Sequence, residues 1–482
     1  MLTEEEILKF INDDKTSKKK RLARVGERYY ESEHDILDYR MFYYNQDGVL
    51  VEDTTRANVK KCHGFFGELV DQEVQYILSG KDGIVHSDDT KLQKELNKYF
   101  NRKFKNALSE VITGAITKGF EYMYVYVNKK GRLTFERADS LGVIEVRERE
   151  TDDGCAYVIY WYIDKLTKDN KAIKRIQVWD ENQTYYYVQE ENGRLLLDDS
   201  ERINPRPHVI YTKDGDDNTI YYENFGYIPF FRLDNNKKQH SGVKAIKSLI
   251  DDYDMMACGL SNNLADFDHP TYVVKGFEGN DFEELQTNLK TKKMIGTPEG
   301  GGLEVHTIEV PYQARIANMD KDEENIYRFG MGFNSAQVGD GNVTNVVIKS
   351  RYALLDLKCN KLQARIEEFL DNILEVVLKE INKNNKTDYD IDDVYYSFEK
   401  EIITNESDNA QIELLKAQKR QTEINTILSL AEVIDNETIV KLICEQLDID
   451  YEEIKDKLPK PKEAYEQVDD VTDTLNKTVP DE

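Results

Sequence analysis

Between Val243 and Phe267 the apolar residues Val243, Ile246, Ile250, Tyr253, Ala257, Leu260, Leu264 and Phe267 recur at intervals of 3, 4, 3, 4, 3, 4 and 3. An apolar position every 3.5 residues marks a helix that hides one stripe against another helix. The seam covers about 25 residues, or about 37 Å of helix. His269-Pro270 ends it, because proline supplies no N–H to continue the ladder. Such a seam needs a partner helix, from this chain or from a neighbouring subunit. Pro311 opens a second helix, to about Phe329, sized to run back beside the first.

A longer helix is predicted from near Val346 to about Asn382. Its stripe is Leu362, Ile366, Phe369, Leu370, Ile373, Leu374, Val377, Leu378 and Ile381. That is about 55 Å, much more than an average globular helix, and it belongs to an elongated object. Between the two rods lies Gly330 to Asn345, a Gly/Asn-rich stretch with four glycines and too flexible for a core strand. Between the seam and Pro311 a compact insert is expected: strand Thr271 to Lys275, helix Phe282 to Leu289, strand Lys293 to Ile295, a turn at Gly300-Gly302 and strand Leu303 to Ile308.

Upstream, Thr3-Glu4-Glu5-Glu6 resembles a capping box, and a helix follows from Lys18 to about Ser32. Helices are predicted over Val59 to Leu78 and Leu92 to Lys118. The texture then becomes β: a hairpin through Tyr122 to Phe135, and strands at Tyr157 to Ile163, Ile176 to Trp179, Tyr185 to Val188 and His208 to Tyr211. Most of the 30 tyrosines lie in the first half, where packing in β-layers is a better reading than base stacking. A short strand at Tyr395 to Phe398, helices over Asn409 to Val433 and Glu437 to Leu447, and a disordered tail from about Pro459 complete the outline.

Chemistry-bearing motifs are missing. The sequence has no phosphate-binding Gly-x-x-x-x-Gly-Lys loop, no His-Glu-x-x-His helix and no Gly-x-Ser-x-Gly elbow. The seven histidines lie far apart without metal-ligand spacing, and five scattered cysteines include no Cys-x-x-Cys. Neither metal nor cofactor is expected. Asp251, Asp252 and Asp254 could suggest an acid/base site, but Lys247 four residues before Asp251 makes a solvated or intersubunit-paired helix face the better reading. With 65 Lys+Arg against 92 Asp+Glu, the net charge is −27, which argues against gripping nucleic acid by phosphate neutralisation. It suits a surface that lets a polyanion slide past. The one basic cluster, Lys18-Lys19-Lys20-Arg21, reads as a solvated helix face. The acidic opening residues are unlike a secretory signal, and no apolar run is long enough for a bilayer, so no membrane partner is expected.

Several segments, in order, resemble a portal protein of tailed bacteriophages, of the type found in siphoviruses of Gram-positive hosts. They are Glu33-His34-Asp35-Ile36; Asn58-Val59-Lys60-Lys61 leading into Glu68 to Gly80; Phe225-Gly226-Tyr227-Ile228-Pro229-Phe230 with Asn235-Asn236; and Val243 to Asp254. The resemblance covers about residues 20 to 450. It implies an α+β, elongated, portal-type subunit. Its parts would be an α/β wing (1–240), a two-helix stem (241–268 and 311–332), a small α/β clip (269–310) and a tunnel loop (333–345). A long tunnel helix returning to the wing (346–399), a helical crown (400–456) and a disordered tail (457–482) would complete it.

The implied function is a ring of about twelve subunits at one capsid vertex, a conduit for DNA packaging and ejection and not an enzyme. Implied partners are double-stranded DNA in the tunnel, terminase, the head–tail connector, and the major capsid and scaffold proteins. The protein would reside in the virion, and in the host cytoplasm during assembly. The seam from Val243 to Phe267 would serve oligomerisation. Asn334, Ser335, Gln337, Asn342, Thr344 and Asn345 would line the tunnel, with Lys349 and Arg351 as lumen candidates or plain solvated helix residues. A nucleic-acid-processing enzyme with an unrecognised site and a ring-forming head–tail adaptor are the alternatives.

Overall fold

The structure is a computed structural model that describes residues 2–54, 56–80, 83–128, 131–149, 154–166, 172–189, 193–213, 216–267, 271–275, 283, 300–306, 311–334, 345–400, 406–429 and 435–447. The chain divides into two compact units, Met1–Val338 with Ser350–Ile402, and Gly339–Lys349 with Ile403–Glu482. It is a mixed α+β protein with ten α-helices among the described residues. These are α1 (Glu4–Thr16), α2 (Lys18–Tyr30), α3 (Phe65–Ile77), α4 (Thr90–Tyr99), α5 (Arg102–Lys118), α6 (Lys247–Phe267), α7 (Tyr312–Gly330), α8 (Asn345–Asn385), α9 (Glu406–Ser429) and α10 (Asn436–Leu447).

The capping box forms as read: the Thr3 backbone N–H donates to Glu6 Oε2 at 2.8 Å, and the Glu6 N–H donates to Thr3 Oγ1 at 3.3 Å. Ile7 and Ile11 of α1 then pack on one face of an antiparallel sheet, beside Ile144, Ile159, Ile176 and Tyr187. That sheet runs in the order 195–197, 183–189, 172–179, 157–166, 143–146, with 206–207 also on 183–189. A second antiparallel sheet puts Phe120–Val127 between Phe230–Asp234 and Leu133–Ala138. Tyr122, Tyr185, Tyr186 and Tyr187 are buried in these sheets.

The basic cluster on α2 is a solvated face only in part: Lys18 and Arg21 are exposed, whereas Lys19 and Lys20 turn inward. Lys20 is buried, donating to the carbonyls of Ser140 and Val143 and pairing with Asp14 at 3.0 Å. Lys19 lies over the Phe120 ring at 3.8 Å, and burial, with Arg232 nearby, pulls its pKa down to about 8. These charges tie α2 to the sheet edge, a tertiary use that a charge run in sequence does not disclose.

Two helix readings are corrected. The stretch 92–118 is two helices, not one, because the Asn101 side chain accepts from the N–H groups of Lys103 and Phe104 and starts α5 anew. The helix expected from Val59 starts only at Phe65, because the backbone before it is committed elsewhere, as shown below.

α8 is the spine of the larger unit's core. Leu362, Ile366, Phe369, Leu370, Ile373, Leu374, Val377, Leu378 and Ile381 are all buried, together with residues of α3, α4 and α5. Tyr395–Tyr396 pairs with Val85–His86, so the chain after α8 returns to the same body. In the smaller unit α9 and α10 pack together, and Asp435 caps α10 by accepting from Thr438 N at 3.0 Å. Apart from Glu283, which is helical, the expected helix 282–289 lies outside the described residues, as do the strand 293–295 and the tail.

Candidate functional site

α6 and α7 run antiparallel. Asn318 donates to Asp252 Oδ2 at 3.0 Å and to Asp322 Oδ2 at 3.2 Å, and Arg315 crosses α6 at Gly259, where a side chain would collide with its guanidinium. The helices bracket a two-stranded antiparallel ribbon, Thr271–Lys275 with Gly302–His306. Asp322 faces Asp252, and burial together with the hydrogen bond and repulsion from that neighbour raises its pKa to about 6. Lys247 meets Asp251 at 2.7 Å as the four-residue spacing predicts, and it also meets Asp35 at 2.6 Å.

The seam divides along its length. Residues 242–245 form a 3₁₀ turn, and α6 begins at Lys247. Val243, Ile246, Ile250 and Ala257 are buried, Tyr253 and Leu260 are half-buried, and Leu264 is 55 % exposed. The side chain of Phe267 lies outside the described residues. Val243, Ile246 and Ile250 belong to the same core as α3 and α8, so that half of the stripe is satisfied within the chain.

The opposite side of α6 carries a feature the sequence reading missed. The backbone N–H groups of Ala57, Val59, Lys61 and His63 donate in turn to Asp266 Oδ1 (2.9 Å), Asn262 Oδ1 (2.7 Å), Cys258 Sγ (3.1 Å) and Asp254 Oδ1 (3.0 Å). Every second residue of an extended strap advances about 6.6 Å, and every fourth residue of a helix about 6 Å, so the two repeats keep step. A pattern of Asp254, Cys258, Asn262 and Asp266 at intervals of four was the available signal.

Asp254 is therefore not on a solvated or intersubunit face. It is buried, with His34 Nδ1 at 2.5 Å and His63 Nδ1 at 2.7 Å on its two oxygens. His34 also stacks on Tyr29 at 4.5 Å. The fold thus gathers histidines that are scattered in sequence. His34, Cys62 and Asp254 bring ligand-type atoms within 4.8 Å of one another, yet both Asp254 oxygens already hold imidazoles, and the group works as a clasp between three chain segments.

The Gly-rich stretch is rooted firmly on its upstream side. α7 ends at Met331 in the left-handed region, with Gly332 N–H returning to the Tyr327 carbonyl at 3.0 Å. The Gln72 side-chain amide then holds the Phe333 backbone at both ends, accepting its N–H at 3.0 Å and donating to its carbonyl at 2.8 Å. The Phe333 ring stacks on Tyr352 of α8 at 4.6 Å, and Asn334 Nδ2 donates to Glu323 at 3.0 Å. Of the other residues singled out here, Ser335, Gln337, Asn342 and Thr344 lie outside the described residues, as do the side chains of Asn345, Lys349 and Arg351. α8 begins at Asn345.

Paired helices bracketing a β-ribbon, followed by a 41-residue helix, are the order of elements that the resemblance to portal proteins implies. The chain belongs to the phage portal proteins. The family model it matches is described as "Phage portal protein, SPP1 Gp6-like" and spans residues 8–460. It is 26 % identical over 389 residues to the portal protein of Bacillus phage SPP1, covering 80 % of this chain and 75 % of that one. It is 23 % identical over 402 residues to the portal protein of Clostridium phage phiCD119, covering 78 % and 85 %. The protein is accordingly structural and non-enzymatic, and it forms the DNA-passage ring at the capsid vertex of the virion. No helix among the described residues is long and apolar enough to cross a membrane.

Proposed function

We propose that about twelve copies form the ring, with residues 241–268 and 311–332 as its stem, 269–310 as its clip, 333–345 as its tunnel loop and 400–456 as its crown. Residues 1–240, with the return of the long helix over 346–399, form the wing. The observation that carries this assignment is the antiparallel pairing of α6 with α7, anchored at one end in the core and bracketing a β-ribbon toward the other. The clip docks terminase during packaging and the head–tail connector afterwards, while the wing meets the major capsid and scaffold proteins. The far end of the seam, from Leu260 to Phe267, contributes to subunit contacts. Ser335, Gln337, Asn342, Thr344 and Asn345, with Asn334 at their root, offer uncharged polar groups to passing DNA. Such groups touch phosphate without the grip of a cation row.

Mass photometry of the purified protein tests the assembly. A dominant species near twelve times 56.1 kDa is expected. Monomer at every concentration would overturn the reading.

A further inference from the structure

Residues 42–44 and 50–52 form an antiparallel hairpin that offers its side chains to solvent along its whole length. Phe42, Tyr43, Tyr44, Val49, Leu50 and Val51 are all exposed, from 36 % at Val51 to 73 % at Tyr44. Together they present on the order of 500 Å² of apolar surface, the size at which a patch on a folded monomer marks a contact. A two-stranded hairpin is marginal in water by itself, and among the described residues no further strand pairs with either of its edges.

This hairpin is nonetheless built to hold its shape. Asn45 Oδ1 accepts from the N–H groups of Asp47 (3.0 Å) and Val49 (2.9 Å), and Gly48 takes the positive φ of 75° that the turn needs. Its outgoing strand leads directly into the strap 57–63, whose four N–H groups are pinned along α6. The arm is therefore fixed to the side of the paired helices. An open cavity of about 450 Å³ lies between the two, lined by Tyr39, Phe42, Tyr43, Met255 and Arg315.

A ring of identical subunits closes through a heterologous contact, in which one patch of each copy meets a different patch of the next. The paired helices supply the second patch: Leu264, Tyr312 and Ile316 are exposed, and the antiparallel register places them toward the same end of the pair. We propose that the hairpin Phe42–Glu52 is an assembly arm that packs on the exposed apolar surface of α6 and α7 in the adjacent copy. The inference rests on the ring reading, and names the surfaces that make the ring.

Two variants test it, one for each patch: Tyr44→Glu with Leu50→Glu on the arm, and Ile316→Glu on the helices. All three positions are exposed, so each variant is expected to melt as the wild type does. Each alone is expected to sediment as a monomer, at under a tenth of the wild-type ring yield. Mixed together, they retain one intact arm and one intact patch, and sedimentation velocity should show a new species at twice 56.1 kDa without closed rings. Normal rings from either variant would overturn the proposal, as would a mixture that stays monomeric. Loss of folding in the arm variant would show instead that the hairpin serves its own subunit, and rings that form but fail to enter capsids would assign the arm to the capsid protein. Wild-type protein run in parallel separates these results from a failure of the ring reading itself.

Discussion

Asp322 shows how one carboxylate reports the state of the paired helices. It sits against Asp252, with Asn318 bridging the two, and burial and that neighbour hold its pKa near 6. A carboxyl whose pKa is higher folded than unfolded binds more protons in the folded state. Stability therefore falls as pH rises from about 4 to 6, and above that range the penalty is complete. Asp322→Asn is expected to stabilise the protein by roughly 1 kcal/mol at pH 8 and to be neutral near pH 4, since one pKa unit is worth about 1.4 kcal/mol before solvent screening. Urea denaturation at the two pH values measures the difference. An equal effect at both would show that the amide acts by packing rather than by charge. Asp254, two residues along α6, has the opposite situation: its neighbours are imidazoles and a backbone N–H, and it closes a clasp instead of opposing one.

At the scale of elements, α6 serves three surfaces at once. Its apolar stripe enters the core at Ile250, its polar stripe holds the strap 57–63, and its far end is open at Leu264. Substitutions along one stripe should therefore fail in different ways. Ile250→Asp places an unpartnered charge at a fully buried site and is expected to cost at least about 4 kcal/mol, abolishing the fold along with assembly. Leu264→Asp lies at the exposed end and should leave stability within about 0.5 kcal/mol while sharply reducing ring yield. Thermal melting by circular dichroism, paired with mass photometry, separates the two. Matching melting curves would refute the division of the seam. Periodicity alone revealed that stripe, but it gave no indication of where along it the chain's own core ends.

For the whole molecule, the net charge of −27 and the rooted loop bear on the same task. On the proposed assignment, a protein this acidic repels DNA at long range, and contact is left to the short polar side chains of the tunnel loop. The loop should thus affect passage and not assembly. Gly339→Pro combined with Gly341→Pro removes backbone freedom from it, and is expected to leave ring formation and capsid incorporation intact while shortening the packaged genome. Genome length in purified particles is the measurement, and full-length genomes at normal yield would show the loop to be a passive connection.

The chain's own pattern determined the rods: Pro311 precedes α7, and the stripe from Leu362 to Ile381 is buried throughout. It determined the Thr3–Glu6 capping box, the hairpin through Tyr122 to Phe135, and the order of segments that marks the family. These are local signals, carried by residues three or four apart or by a single turn. Tertiary structure alone decided what happens when distant segments meet. It turned Lys20 from a surface charge into a buried anchor, and brought His34 and His63 from separate segments onto Asp254. It drew residues 57–63 out of a helix and along α6, because four side-chain acceptors there match the backbone donors of an extended strap. In each case the partner lies more than a hundred residues away, where periodicity has no reach, and a buried polar group settles wherever its hydrogen bonds can be completed.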